Sequence, residues 1–443
     1  MMRDLIHQYM KNPREYSCCV TLGYPKTAQK SYGRERRLLM CYPAVVLQGE
    51  GWRRRVDDPR LPCKSPDCRI HRWRPPYTDP TTEDKRTFVT AEMKTTNSEV
   101  WRIPDAIYNG VPAMAQLRIN DDRDDISVRA TFLKMRLFYN NCHEIGVFTS
   151  NMISVVSKPH RTAAITGASG MAIKSGDVIT LSIRNTKMTR NLCLSNGNVS
   201  ADLPYYSTFY IHLVDEDMEE SDKIQVIADQ VITYGSIVKL VDTENNIGLP
   251  KMRILKADER GIDLCGVPGV QEVLHFQRAA FQFFEEPNLF LGLDERDYQS
   301  VRPKFVKREP FLVKPVGNRV ADMYTYDMWL LIPHETISFT FAEMNGPSDA
   351  VTPAPYFESH FDFGQDGYVT LVGRDFTPRL QAWIDDIPLE TLYKNSESIV
   401  CRLPTKEERE ESVLRLQCAG IIPQSLMYLA RDDGVLYPSP FIL

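Results

Sequence analysis

Apolar positions Leu5, Ile6, Tyr9 and Met10 share one helical face between Arg3 and Met10, and Pro13 follows closely. That spacing predicts a short helix with one buried side. Beyond it the chain reads mostly as strands. AVVLQGEGW is a short apolar run ended by glycines, and FLKMRLFY and IGVFTS are strand-like too. Residues 53–80 break the pattern with Pro59, Pro62, Pro66, Pro75, Pro76 and Pro80, which predicts a long loop or insertion.

From about residue 149 short strands alternate with turns. SGDVITL (175–181) and YGSIVKL (234–240) share the form Gly-x-apolar-apolar-x-Leu, about 60 residues apart. Such a repeat predicts a closed all-β module with internal pseudo-symmetry, such as a trefoil. Beyond residue 320 the alternation is cleaner, and HETISFTFAE puts Ile337, Phe339 and Phe341 on one face. GYVTLVG, SIVCRLP and SLMYLARDDGVLYPS follow, the last with a hairpin signal at Asp433-Gly434. About seven short strands in this stretch predict an immunoglobulin-like sandwich. Thr405 and Glu408 form a capping box that opens a short charged helix.

A chain of 443 residues is long for a single core, and two to four domains are expected at roughly 100 to 200 residues each. The formal charge of −5 hides a division. Residues 1–77 hold 16 Lys and Arg against 7 Asp and Glu, whereas the remainder holds 37 against 51. A basic first module on a larger acidic body fits a polyanion-binding surface, or else a solvated arginine-rich loop. No window has the roughly 18 uninterrupted apolar residues of a membrane span, and Met1–Lys11 lacks the clean apolar stretch of a secretory signal. Both point to an intracellular protein. The ten cysteines, scattered singly apart from Cys18-Cys19, then read as reduced core thiols.

Candidate chemistry is sparse. Cys63, Cys68 and His71 exceed the usual zinc spacing and lack a fourth ligand, so no metal is expected. ITGASGMAI (165–173) looks like a dinucleotide-binding turn, but its third glycine is absent and KSGDVITLSI after it reads as turn and strand rather than helix. The acidic run VDEDMEESD (214–222) reads as a solvated turn. No phosphate loop, zinc-protease helix or nucleophile elbow occurs, so neither an enzyme nor a cofactor is expected.

AQKSYGRERRLL (28–39) is different. It sets Lys30, Arg34, Arg36 and Arg37 around Tyr32-Gly33. A loop that reads the DNA major groove needs arginines able to make paired hydrogen bonds to guanine, and neighbouring cations to fix the register on phosphates. Glycine permits close backbone approach, Tyr32 can pack on sugar, and Glu35 can orient an arginine or accept from cytosine. A ligand-free surface loop of the same composition is the alternative.

TAQKSYGRERRLL followed by GEGW resembles the N-terminal Rel-like signature of the CSL transcription factors (Suppressor of Hairless, recombination signal binding protein for the J region), the DNA-binding effectors of Notch signalling. EIGVFTS, SKP, FYIHL, YGSIVKLV, GLP, VTPAP, GRDFTPRLQAW, SIVCRLP and RDDGVLYPS follow in the family's order, across nearly the whole chain. The resemblance implies a mainly β protein: a Rel-like immunoglobulin N-terminal domain over 1–148, a β-trefoil over 149–308 and a Rel-type immunoglobulin-like C-terminal domain over 309–443. It implies that Arg37 reads the major groove, with Lys30, Tyr32, Glu35 and Arg36 in the same loop, and that Lys158, Arg161 and Arg184 meet the phosphate backbone. It further implies an apolar trefoil groove at Ile224, Val226, Lys239 and Gly248 for a peptide of the Notch intracellular domain or of competing corepressors, although ordinary trefoil core fits those positions too. A nuclear protein, monomeric on double-stranded DNA, that recruits coactivators or corepressors is the expectation.

Two departures from the family pattern bear on function. The trefoil loop that reads the minor groove in relatives is about three residues shorter, compressed to RNTKMTR (184–190), which leaves Asn185, Thr186 and Lys187 placed for backbone contacts. The lysine run after SKP is reduced to HRTAAI, while Arg34 adds a charge where relatives carry asparagine. Weaker or altered DNA binding follows. The alternative function is a divergent paralogue that has given up base-specific binding and serves as a protein-interaction scaffold or competitor for cofactors.

Overall fold

Helix α1 spans Met2–Lys11 and buries Ile6 and Tyr9, two of the four apolar positions that predict it. Pro13 opens a second, one-turn helix, Pro13–Tyr16, where its missing N–H costs nothing. The computed structural model describes residues 1–30, 38–56, 89–95, 101–103, 112–119, 130–139, 144–156, 171–184, 189–195, 198–202, 205–217, 229–258, 261–287, 289–292, 320–321, 328–346, 350–363 and 367–442.

The first unit sets two sheets face to face. One carries Thr27–Gln29, Glu144–Val156, Ala130–Tyr139, Val89–Thr95 and Trp101–Ile103 in that order. Leu133, Met135 and Leu137 point into the core, while Lys134 and Arg136 between them are exposed, the alternation FLKMRLFY predicts. The other contains Cys18–Pro25 paired with Ala44–Gln48. Residues 53–56, expected to open a long loop, are instead helical, as part of Gly51–Val56. Gly51 lies against the Tyr16 and Ser17 carbonyls where no side chain fits, and buried Trp52 donates Nε1–H to the Cys19 carbonyl at 3.2 Å. Residues 57–80 lie outside the described residues.

The second unit is a trefoil closed by three bridges, Ala172↔Leu274, Lys174↔Val231 and Thr233↔Glu272. Each of the three segments touches the other two, which is the signature of a pseudo-threefold axis. Two copies are visible in the sequence as Gly-x-apolar-apolar-x-Leu, and the third is HFQRAAF (275–281). Gly176 (φ 94°), Gly235 (φ 91°) and Phe276 (φ 59°) occupy equivalent left-handed turn positions. Their amides donate to Ile211, Ile254 and Leu331 carbonyls at 2.8, 2.7 and 2.9 Å. A phenylalanine where the motif has glycine conceals the third copy.

The third unit is a sandwich. One sheet orders Tyr356–Phe363, Tyr368–Arg374, Ser398–Arg402 and Thr391–Asn395; the other joins Leu380–Ile384, Leu426–Arg431 and Val435–Ile442. The capping box is present: Glu408 N–H donates to Thr405 Oγ1 at 3.2 Å and Thr405 N–H to Glu408 Oε2 at 2.7 Å. Gly434 takes φ 95° in the hairpin turn.

One strand links all three units, and HETISFTFAE belongs to it. Trp329–Glu343 pairs through 330–333 with Val178–Arg184 of the trefoil, through 334–341 with Cys18–Pro25, and through Ala342 and Glu343 with Val435–Ile442. Its sequence alternation marks Ile337, Phe339 and Phe341 as buried, correctly, but periodicity does not name the neighbouring strand. These side chains pack with Val20, Leu22, Trp52 and Phe148 of the first unit as well as with the sandwich.

Candidate nucleic-acid interface

Among the residues expected to touch DNA, Lys30 and the backbone of Arg184 are described; Tyr32, Glu35, Arg36, Arg37, Lys158, Arg161 and Lys187 lie outside the described residues. Lys30 is buried, at the base of the 31–37 segment. The flanks of the segments that carry the others are well defined. Thr27–Gln29 runs parallel to the end of Glu144–Val156, with Gln29 opposite Val156, and Lys30 N–H donates to the Val156 carbonyl at 3.0 Å. Lys30 and Val156, which precede segments 31–37 and 157–170, therefore lie side by side. On the return, Leu39 N–H donates to Leu117 O at 2.7 Å, and Cys41 Sγ hydrogen-bonds Thr180 Oγ1 in Val178–Arg184. That strand ends at Arg184, opposite Thr189 across the 185–188 connection. Two segments far apart in sequence thus have flanks at one joint between the first unit and the trefoil, and the strand that leads to the third, Val178–Arg184, meets that joint at Thr180.

The joint is apolar and electrically quiet. Cys41 and Val156 from the first unit meet Phe276 and Ile332, with Met40, Met171, Tyr206 and Leu330 around them. Tyr206 donates its hydroxyl proton to the Tyr42 carbonyl at 3.0 Å, so its oxygen accepts from His334 Nε2–H at 3.2 Å. That assignment leaves His334 Nδ1 bare, and it has no hydrogen-bond partner. Burial, helped by the Lys26 charge, pushes the His334 imidazole down to about 3. His275, hydrogen-bonded through Nδ1 to Thr27 Oγ1 at 2.9 Å, is pushed down to about 4 by burial, against the pull of Asp177 and with the push of Lys26. Lys26 and Asp177 neutralise each other at 3.4 Å across the same joint. Burial also lifts the Cys41 thiol to about 12, which makes it a hydrogen-bonding group rather than a nucleophile. Both histidines are neutral, so they add no charge to the joint, which fixes how the two units meet.

A second surface lies on the trefoil. Lys239 stands opposite His212, and its Cε sits 3.0 Å from where a Cβ on residue 248 would be, so the lysine side chain lies close over Gly248. The structure thus brings Lys239 and Gly248 together, while Ile224 and Val226 lie outside the described residues. Tyr210 stacks on His212 with centroids 5.8 Å apart. Burial lowers the His212 imidazole, and its Nδ1 has no hydrogen-bond partner. Asp215, Glu216 and Asp217 of the acidic run are exposed, and Glu216 pairs with Arg253 at 3.3 Å. Among the described residues no group of three or more His, Cys, Asp or Glu side chains is arranged to hold a metal ion, and Cys63, Cys68 and His71 lie outside them. No described helix is long and apolar enough to cross a membrane.

Sequence reasoning missed the joint itself: Cys41, Tyr206, His275, Phe276 and His334. Isolated histidines and a lone cysteine have no spacing signature. Phe276 had one, as the phenylalanine standing where the two recognised repeats carry glycine.

Three family models match in order: "LAG1, DNA binding" over residues 20–166, "Beta-trefoil DNA-binding domain" over 195–310 and a TIG domain over 355–443. Among curated proteins the chain is 28% identical over 429 residues to the mouse (Mus musculus) recombining binding protein suppressor of hairless-like protein, covering 95% of this chain and 78% of the relative. The human protein of the same name is 28% identical over 436 residues, with the same coverage. Among solved structures, the lysenin pore matches at a TM-score of 0.18 and 11% identity over 56% of this chain and 87% of the other, which bears on neither fold nor function.

Proposed function

The chain is a divergent member of the CSL family of DNA-binding transcription regulators, and on that premise we propose that it clamps duplex DNA in the nucleus, as a monomer, between its N-terminal unit (1–148) and its trefoil (149–308). Arg37 makes the paired hydrogen bonds to guanine in the major groove, with Tyr32, Glu35 and Arg36 beside it. Lys158, Arg161, Arg184 and Lys187 neutralise phosphates and so set affinity and its salt dependence. Lys30, from its buried place, holds the base of the reading segment. The C-terminal unit (309–443) and a trefoil groove at Ile224, Val226, Lys239 and Gly248 receive a peptide resembling the Notch intracellular domain, coactivators or corepressors. The observation that carries this reading is the joint that holds the flanks of segments 31–37 and 157–170 and is packed against the strand leading to 185–188: a common base for separate groups of cations is what simultaneous contact with one duplex requires.

Selection of bound sites from random duplex DNA, followed by binding at several salt concentrations to the selected and scrambled duplexes, tests it. Arg37→Ala is expected to cost about 1–3 kcal/mol and to relax preference at one base pair. The scaffold reading, favoured by the shortened RNTKMTR loop and the lost lysines, expects no selected consensus and a shallow salt slope. Equal binding of selected and scrambled DNA by the parent chain decides for the scaffold.

A further inference from the structure

In a sandwich each sheet buries one face against its partner and gives the other to water. The C-terminal sheet departs from this. Ala382, Ile384, Met427, Leu429, Val435 and Tyr437 face the shared core. On the opposite face, where water is expected, stand Trp383 opposite Tyr428 and Ala430 opposite Leu436, and α1, from the other end of the sequence, lies over them. Ile6 and Tyr9 are buried there, and the Tyr9 ring meets Tyr428 edge-on with centroids 5.7 Å apart.

Beside this apolar contact is a polar latch. The Asp386 carboxylate is fully covered and already held by its own unit: Arg415 Nε at 3.0 Å, Arg415 Nη2 at 3.1 Å and the Ser412 hydroxyl. Helix α1 adds His7 Nε2 at 3.1 Å and Arg3 Nε at 3.9 Å. The cover fits imperfectly. Trp383 Nε1 and Tyr428 Oη, both on the covered face, are buried without a hydrogen-bond partner, and leaving buried donors unsatisfied is unfavourable. Helix α1 is ten residues long with no side-chain cap at its start, short for a helix that must stand on its own.

We propose that α1 is a displaceable cover, and that the sheet face beneath it is a docking groove for an amphipathic helix of a partner protein. The incoming helix carries an apolar and an aromatic residue three positions apart, as Ile6 and Tyr9 are, and a basic residue that reaches Asp386. It also carries a Gln or Glu whose side chain accepts from Trp383 Nε1–H and Tyr428 O–H. That acceptor is the advantage it holds over α1. Asp386 keeps Arg415 and Ser412 throughout, so the latch opens without stranding the carboxylate.

Hydrogen exchange followed by mass spectrometry on the full chain is the first test. Amides of α1 are expected to exchange at least tenfold faster than those of Leu426–Arg431, through an opening that leaves the sheet closed. The second test uses a fluorescein-labelled peptide of residues 1–17. A full chain carrying Ile6→Ala and Tyr9→Ala, which undocks its own helix, is expected to bind the peptide at least tenfold tighter than the parent does, and a peptide carrying Arg3→Glu and His7→Glu is expected to lose that gain. Exchange of α1 only in step with the strand beneath it overturns the proposal, as does a doubly substituted chain that melts cooperatively yet binds the peptide no better than the parent. Should the double substitution prevent folding, exchange in the parent decides alone.

Discussion

Two of the contacts that hold the N-terminal unit to its neighbours are built on opposite electrical plans. At the trefoil the buried ionisable groups His275 and His334 are kept neutral, and beside the partly exposed Lys26–Asp177 ion pair the joint relies on packing and uncharged hydrogen bonds. Under α1 the central group is a charged carboxylate: burial raises the Asp386 carboxyl, but hydrogen bonds from Arg415, Ser412 and His7 together with the Arg415 charge bring it below its ordinary value. The neutral joint suits a surface that must keep one geometry beneath a polyanion. The charged one suits a contact that opens and recloses.

Acid separates the two most strongly. An imidazole whose pKa is depressed by folding contributes stability that is complete above its unfolded value of about 6.5 and is lost as pH falls toward the folded value, about 1.4 kcal/mol for each pH unit between the two. With His275 and His334 held at about 4 and about 3, the unfolding free energy read from denaturant titration should drop by several kcal/mol between pH 6.5 and 4. Replacing both histidines with glutamine should flatten that slope; a parent chain already flat across the window contradicts the neutral-joint description. Asp386 behaves in the other range: its contribution is complete above its ordinary unfolded pKa, about 3.9, and disappears as pH falls through the lower folded value.

Next in size is the packing of the trefoil joint. Phe276→Ala is expected to destabilise by about 3 kcal/mol through lost burial. Phe276→Gly removes the same ring but also the left-handed strain, and should cost about 1 kcal/mol less than alanine. Chemical denaturation of both variants measures the difference, and alanine outperforming glycine would mean that the φ of 59° carries no strain. Asp386→Asn is expected to cost about 2 kcal/mol: breaking a buried pair usually costs more, but the Arg415 side chain is a third exposed and water replaces part of its loss. Smallest is Arg3→Ala, below about 1 kcal/mol because Arg3 is nearly half exposed, and visible in α1 exchange rather than in the global midpoint.

Local signals carried much of the architecture. The face of α1, the capping box at Thr405 and Glu408, the turn at Gly434 and the buried face of Ile337, Phe339 and Phe341 are each set by residues within a few positions of one another, and all stand in the structure. The partner of a strand is not a local property, which is why HETISFTFAE could be read as buried without its pairing to Cys18–Pro25 being visible. The candidate interface shows the same limit. Lys239 and Gly248, nine positions apart, lie against each other, but the joint unites Cys41, Tyr206, Phe276 and His334 across almost 300 positions, and no short motif encodes such a meeting.

Trp329–Glu343 has a consequence for how this sequence is free to vary. Its side chains alternate between faces, so gaining or losing one residue inside it turns every later position toward the wrong side. That single error would reach all three units together, since each takes its own stretch of the strand. Substitution is tolerable here wherever size and polarity are kept, whereas a change of length is not.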